Sequence, residues 1–343
     1  MKTFQDLYLL RESDYGILLP YILSKDITDI NWNGNTLWID HLQKGRYITK
    51  ETLTKEFVIR FSSLIAHVVS LSFNKVNPIL EAETEELRIS IVHESVANTG
   101  TAISIRKIPA IRRIEESGIV ESGYCNKETE EFLKNCVQAH YNIAICGMPG
   151  AGKTELLKYL TKYIPDNERA ITIEDTLEIH YSSINPDKDC IEMKVTEQFT
   201  YTDAIKSCLR QLPKWIILSE ARSAEVRYLL ECLSTGTYGM TTLHTDDVRN
   251  IPDRVKNMAG GHIDSERILN DTFTFLNIGI LVRCQMEKGG RWNRRIEQVC
   301  LFERKGRSIQ INKNSITMIV ENGEFICKQI PASIIKRFTE EGI

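Results

Sequence analysis

Three features are missing from this sequence. No two of its nine cysteines form a Cys-x-x-Cys pair, and 43 basic against 46 acidic side chains leave a net charge of only −3. No apolar run approaches the ~18–20 residues that a membrane span requires. The scattered cysteines (125, 136, 146, 190, 208, 232, 284, 300 and 327) exclude a paired-cysteine metal module. An odd number in a long chain fits free thiols in a reducing cytoplasm. The opening stretch MKTFQDLYLLRESD lacks the pattern of a secretory signal, so any membrane contact is expected to be peripheral. Balanced charge excludes a bulk polyanion binder and leaves room for a local basic face. Internal repeats and low-complexity tracts are also absent.

What is present is an ordinary globular composition, 42% hydrophobic and 26% charged, over 343 residues. That length exceeds one core and suggests two domains. In the first part, Ile27–Trp32 and Leu37–Ile39 flank Asn33-Gly34-Asn35, a strong hairpin signal. Phe57, Phe61, Leu64, Ile65, Val68 and Val69 recur at helical spacing between Glu51 and Phe73. The acidic run Glu81–Glu86 reads as a solvated turn. Two further strands are expected around Leu87–Ile91 and Ala102–Arg106.

The stretch 119–126 reads as a linker between an α+β domain (1–118) and a larger domain (127–343). In the latter, candidate strands Asn142–Cys146, Ala170–Glu174, Trp215–Ser219, Met240–Leu243 and Phe275–Val282 alternate with helical segments. This pattern predicts a parallel α/β sheet covered on both faces. Short alternating runs (309–311, 316–320 and 325–327) suggest an antiparallel appendix at the C-terminal end.

The strongest chemical signal is Gly147-Met148-Pro149-Gly150-Ala151-Gly152-Lys153-Thr154, which fits G-x4-G-K-[ST] between a strand and a helix opening at Glu155. Glycines let main-chain N–H groups turn toward a polyanion, and the helix N-terminus adds partial positive charge. Lys153 is expected to reach the β- and γ-phosphates and the Thr154 hydroxyl to ligate Mg²⁺, which points to ATP or another nucleoside triphosphate. Glu174-Asp175 ends one candidate strand at the edge where open α/β sheets hold ligands. Taken alone, such a pair equally suits a turn or a helix cap. Trp215–Leu218 closes on Ser219-Glu220-Ala221-Arg222, where a carboxylate could orient the attacking water. His244 ends a fourth strand, and a lone histidine is commonly structural. Several strand-end polar groups in series after a phosphate loop are harder to ascribe to chance.

In order and spacing, Asn142–Thr154, Ile173-Glu174-Asp175, Leu209–Arg222 and Thr235–His244 resemble the Walker A, Asp box, Walker B and His box of the secretion traffic ATPases. That family comprises the hexameric motors of type II and type IV secretion, type IV pili and conjugation. Asp29–Gly34 and Ile103-Ser104-Ile105-Arg106-Lys107 resemble its N-terminal signatures, so the likeness spans residues from about 25 to about 300. It is nearest the type IV secretion, conjugation and tight-adherence-pilus branch. The type II branch carries a tetracysteine zinc module, which this chain lacks.

The resemblance implies a RecA-like P-loop domain after a smaller α+β domain, with ATP and Mg²⁺ as cofactors. It implies Glu220 as the carboxylate that polarises water, and Glu174, with Asp175, as holding Mg²⁺ or the water. By the same likeness His244 senses the phosphate, Arg106 closes over the nucleotide, and Arg210 and Arg222 lie at domain or subunit contacts. The phosphate cradle would run through Gly147, Pro149, Gly150, Ala151, Gly152, Lys153, Thr154 and Glu155. A homohexamer at the cytoplasmic face of the cell membrane, working with membrane components of a secretion, conjugation or pilus machine, is the implied assembly.

Three positions depart from the family pattern. Lys214 replaces the Asp before the Walker B strand, Ser219 replaces the Gly before the catalytic Glu, and Thr237 replaces the first His of the His box. Loss of that Asp removes one possible partner near Mg²⁺ and reverses a charge near the strand. Glu220, Lys153, Thr154 and His244 remain, so a weak-to-ordinary ATPase rather than an inactive one is expected. Residues 283–307 carry eight basic positions (283, 288, 291, 294, 295, 304, 305 and 307) against three acidic ones. They read as a solvated strand pair, or as a contact to anionic lipid at ~1 kcal/mol per basic residue. Two other functions stay open, a RecA-like nucleic-acid translocase or helicase and a slow ATP-binding scaffold. The absence of an aromatic-basic series argues against direct nucleic-acid binding.

Overall fold

The computed structural model describes residues 10–260, 265–287, 292–304 and 314–343. Backbone contacts divide the chain into two units, one comprising residues up to Ala110 with Met286–Asn293, the other Ile111–Gln285 with Arg294–Ile343.

In the first unit β1 (Ile27–Trp32), β2 (Leu37–His41), β3 (Gly45–Ile48), β4 (Ile79–Glu83), β5 (Leu87–Val92) and β6 (Ala102–Lys107) form an antiparallel sheet in the order β3-β2-β1-β6-β5-β4. The expected hairpin joins β1 to β2, and Asn33 Oδ1 holds its turn by accepting from the N–H groups of Asn35 and Thr36. One face of the sheet packs Ile30, Ile39, Ile89, Ile91 and Ile105 against Phe61 and Ile65 of the helix Lys55–Val68. Thr54 caps that helix, its hydroxyl accepting from Phe57 N–H at 3.2 Å. The acidic run is not simply a turn. Leu80 and Ala82 are buried while Glu81 is exposed, so a period of two lies within the charges and Glu81–Glu83 belong to the edge strand β4.

In the second unit β7 (Ile143–Cys146), β8 (Ala170–Glu174), β9 (Cys190–Lys194), β10 (Trp215–Leu218), β11 (Tyr238–Leu243), β12 (Ile278–Met286), β13 (Trp292–Arg304), β14 (Asn314–Glu321) and β15 (Glu324–Phe325) lie in the order β15-β14-β13-β12-β7-β11-β10-β8-β9. The pairs from β12 through β9 are parallel. Their residues alternate between two cores. Ile143, Ile145, Trp215, Ile217 and Met240 face one, while Ala144, Cys146, Ile216, Leu218 and Leu243 face the other. Unbroken apolar runs are what a sheet buried on both faces demands.

Several details differ from the sequence reading. Phe275 ends the helix Ser265–Phe275, and β12 starts only at Ile278. β14 and β15, at the runs expected around 316–320 and 325–327, are antiparallel and continue the main sheet, while the run 309–311 lies outside the described residues. Within 119–126, expected as linker, Ile119, Tyr124 and Cys125 are buried in this unit's core. Of the basic stretch, Lys288, Arg291, Lys305 and Arg307 lie outside the described residues. Arg283 and Arg295 both pair with the buried Glu297, as in a salt-bridged strand pair. No helix among the described residues is long and apolar enough to cross a membrane.

Phe61 is fully buried, with the Tyr15 and Phe57 rings 6.2 and 5.8 Å away. Phe61→Ala should destabilise the first unit by about 3–5 kcal/mol. Urea denaturation should show this as an earlier transition.

Candidate active site

Four parallel strands, β7, β8, β10 and β11, deliver their C-terminal ends to one edge of the second sheet. β7 runs into the phosphate loop at Gly147. A Cβ there would lie 2.4 Å from the Val282 carbonyl oxygen of β12, so only glycine lets the loop leave the sheet so closely. Gly152, at φ +98°, turns the chain into the helix Lys153–Thr161. Met148, Pro149 and Gly150 are exposed at the loop crest, and Ala151 is buried beneath it.

Lys153 is only 8% exposed. Its Nζ donates to the carbonyl oxygens of Gly147 at 3.2 Å and Met148 at 3.4 Å, and lies 3.3 Å from His244 Nδ1. Burial lowers its pKa below the usual ammonium value, against the charges of Glu220 and Glu178. His244, at the end of β11, places Nε2 2.8 Å from Glu220 Oε1. With Nε2–H donating to that carboxylate, Nδ1 sits between Lys153 Nζ and the Gly147 carbonyl oxygen, 3.2 Å from the latter.

Glu220 follows β10 and is held on both oxygens, since Arg222 donates to Oε2 at 2.9 Å. Burial pushes its pKa upward, but the Arg222 hydrogen bond and charge, with His244 and Lys153, outweigh this and leave it below the ordinary glutamate value. Arg222 also donates to Asp175 Oδ2 at 2.7 Å. Thus Lys153, His244, Glu220, Arg222 and Asp175 form one connected group. Arg222, expected at a domain or subunit contact, binds two carboxylates of its own unit. Arg210 is exposed just after the helix Tyr201–Cys208.

Glu174 is placed differently. It is fully buried, and Oε2 accepts from the N–H groups of Glu178 and Ile179 at 2.9 and 3.0 Å, closing the turn after β8. Oε1 has no hydrogen-bond partner among the described residues, and desolvation pushes the carboxyl up to about 8. The carboxylate beside the Thr154 hydroxyl is Glu178, at 3.5 Å. Sequence reasoning missed Glu178. Its one signal was position, four residues past Glu174 on the loop leaving a strand that ends at the phosphate edge. The side chain of Glu155, expected at the phosphates, turns to Arg113 and Lys158. Arg106 belongs to the first unit, on β6, where Nε donates to Asp29 at 2.9 Å.

The donors near the loop suit Mg²⁺. No group of three or more His, Cys, Asp or Glu side chains among the described residues forms a metal cage. A hydroxyl with one nearby carboxylate is what a Mg²⁺ ion shared with substrate phosphates takes from protein.

Lys214 and Thr237 sit at the other edge of the sheet. Lys214 precedes β10 and lies over the Tyr238 ring at 5.0 Å, and Thr237 is buried at the start of β11. At about 3.3 Å per residue, Lys214 is about 20 Å along the strand from Glu220. The expectation that Lys214 disturbs Mg²⁺ is therefore corrected, because its charge lies at the far end of the strand.

Two outcomes follow from this geometry. Lys214→Asp should leave the turnover number within about twofold of the parent, as expected of a surface charge beyond the screening length; steady-state phosphate release measures it. For Glu174, the native carboxyl holds a proton that the unfolded chain loses near its usual 4.5. Its contribution to stability is therefore full at low pH and declines as pH rises toward 8. In nucleotide-free protein, Glu174→Gln should lose less stability than the parent between about pH 5 and about pH 8, as read by urea denaturation.

Comparison with known proteins identifies the family. The family model described as "Type II/IV secretion system protein" matches residues 74–323. An uncharacterized protein of Bacillus anthracis is 31% identical over 262 residues, 75% of this chain and 59% of that one. The type IV secretion system protein VirB11 of Bartonella quintana is 33% identical over 189 residues, covering 52% of this chain and 51% of VirB11. The chain thus spans between half and three fifths of the length of these two relatives. In fold, the ATPase DotB of Yersinia pseudotuberculosis superposes with a TM-score of 0.64 at 13% identity, over 84% of this chain and 78% of DotB. The second unit is a RecA-like P-loop domain, preceded by a smaller α+β unit, and the chain belongs to the type II/IV secretion system protein family.

Proposed function

We propose that this chain is an ATP-hydrolysing motor subunit that powers assembly of, or substrate transfer through, a type IV secretion, conjugation or pilus machine. The observation that carries the reading is the convergence of Lys153, His244 and Glu220 where β7, β11 and β10 end. Main-chain N–H groups of the loop from Gly147 to Glu155 bind the phosphates, and Lys153 exchanges its carbonyl partners for them. Thr154 and Glu178 would hold Mg²⁺, which would neutralise charge on the transferring phosphoryl group. Glu220, kept ionised by Arg222, orients the water, and His244 links Glu220 to Lys153 so that phosphate occupancy is felt at the carboxylate. Arg106, in the first unit, keeps the proposed role of neutralising phosphate charge.

The same reading places the protein as a homohexamer at the cytoplasmic face of the cell membrane, among the membrane components of its machine. Family membership supports this over a nucleic-acid translocase. The position of Lys214 removes the main reason for expecting a non-hydrolysing scaffold.

Glu220→Gln should bind ATP as the parent does while hydrolysing it at least about 100-fold more slowly. Lys153→Ala should lose both binding and turnover. Steady-state hydrolysis and equilibrium nucleotide binding measure these, with DNA and anionic liposomes added in turn. Stimulation by liposomes and indifference to DNA are expected. Hydrolysis by Glu220→Gln at the parent rate would remove Glu220 from the mechanism.

A further inference from the structure

We propose that Asp175 is a positioning residue that acts through Arg222 on Glu220, and that it is not a ligand of the metal. This rests on the reading of the site as an ATPase centre. The guanidinium is a planar fork. One arm, Nη1, reaches Asp175 Oδ2 at 2.7 Å, and the other, Nη2, reaches Glu220 Oε2 at 2.9 Å. Each end of this bridge is fixed from behind. Asp175 Oδ1 accepts from Thr176 N–H at 2.9 Å, and the Arg222 N–H donates to the buried Glu225 Oε1 at 2.5 Å. His244 holds the other oxygen of Glu220 at 2.8 Å.

The Arg222 side chain is 54% exposed. An exposed ion pair adds little to stability, and a long exposed side chain left alone samples many rotamers. What the bridge supplies is orientation. Without Asp175 the guanidinium has one anchor and can swing about it. With Asp175 both nitrogens are placed, and the plane of the Glu220 carboxylate is set between Arg222 and His244. Meanwhile both Asp175 oxygens already accept from protein donors, and the carboxylate beside Thr154 is Glu178. The metal therefore falls to Thr154 and Glu178, while Asp175 fixes the geometry of the group that orients water.

The test uses the full chain and its Asp175→Asn, Arg222→Gln, Arg222→Lys and Asp175→Asn/Arg222→Gln variants, with thermal melts confirming that each folds. ATP hydrolysis is measured against ATP and against Mg²⁺, and Mg²⁺-dependent binding of a fluorescent ATP analogue is measured at equilibrium. Misorienting a reacting group costs between about 10- and 100-fold, so Asp175→Asn should lower kcat by at least about tenfold with KM little changed. Its half-saturating Mg²⁺ concentration, in turnover and in binding, should match the parent. The double variant should be no slower than Arg222→Gln alone. Arg222→Lys, which keeps the charge and loses the fork, should resemble Arg222→Gln. A raised Mg²⁺ requirement in Asp175→Asn, multiplicative losses in the double variant, or full activity in Arg222→Lys would each overturn the proposal alone. A parent that binds nucleotide without turnover would overturn the motor reading, and this proposal with it.

Discussion

The second unit is organised around a buried cation, Lys153, that has no carboxylate within ion-pair distance among the described residues. Lys153 is almost wholly enclosed, and its partners among the described residues are two main-chain carbonyls and an imidazole nitrogen. Burying an ammonium is expensive unless it is paired and hydrogen-bonded, and the lowered pKa reflects that cost. The fold tolerates it because the glycine-rich loop wraps carbonyls around the ammonium and sets the N-terminus of the helix Lys153–Thr161 beside it. A polyanion entering the loop would supply the missing charge. The site is thus prepared for a ligand of one sign, and the carboxylates nearby are already restrained, Glu220 by Arg222 and His244, and Glu174 by the turn it closes.

The two edges of the sheet divide the labour. At the phosphate edge, Asp175, Glu220, Arg222 and His244 remain partly exposed. At the opposite edge, Glu168 accepts from His140 Nε2 and Trp215 Nε1, both at 2.7 Å, and the His140 ring stacks on Tyr238. Asn142 ties β7 to β11 through Gly239 N–H and reaches the Phe275 carbonyl at the end of the neighbouring helix. Arg337 of the helix Ala332–Glu340 donates to the His140 carbonyl and lies over the Tyr141 ring at 4.2 Å. Saturating this edge with aromatic packing and hydrogen bonds fixes where the strands begin. The ends that carry Glu220 and His244 are held in register as a result, and a lysine at position 214 is accommodated by stacking.

Much of this arrangement could be read before the structure was seen. The phosphate loop, the hairpin at Asn33-Gly34 and the parallel strands rest on local patterns strong enough to need no tertiary context, whereas Glu220 and His244 were joined to the site chiefly by the family resemblance. The errors share one cause, which is that linear spacing says nothing about direction. Glu174 and Glu178 lie on one turn, and only the fold shows that the first faces inward to main-chain amides while the second faces Thr154. Arg222 sits two residues from Glu220, but its reach back to Asp175 is a property of the β8–β10 pairing. The effect of Lys214 was left open although its place was inferable, since four strand residues separate it from Ser219. β3 and β9 escaped notice because Gly45–Ile48 and Cys190–Lys194 are short edge strands with no fully buried residue.

The most direct test of the account is a structure of the chain with Mg²⁺ and a non-hydrolysable ATP analogue. The account predicts that Lys153 Nζ leaves the Gly147 and Met148 carbonyls for phosphate oxygens, and that the metal touches Thr154 and Glu178. Asp175 should remain on Arg222. A metal held by Glu174 and Asp175, or a Lys153 that keeps its carbonyl partners with nucleotide bound, would contradict it.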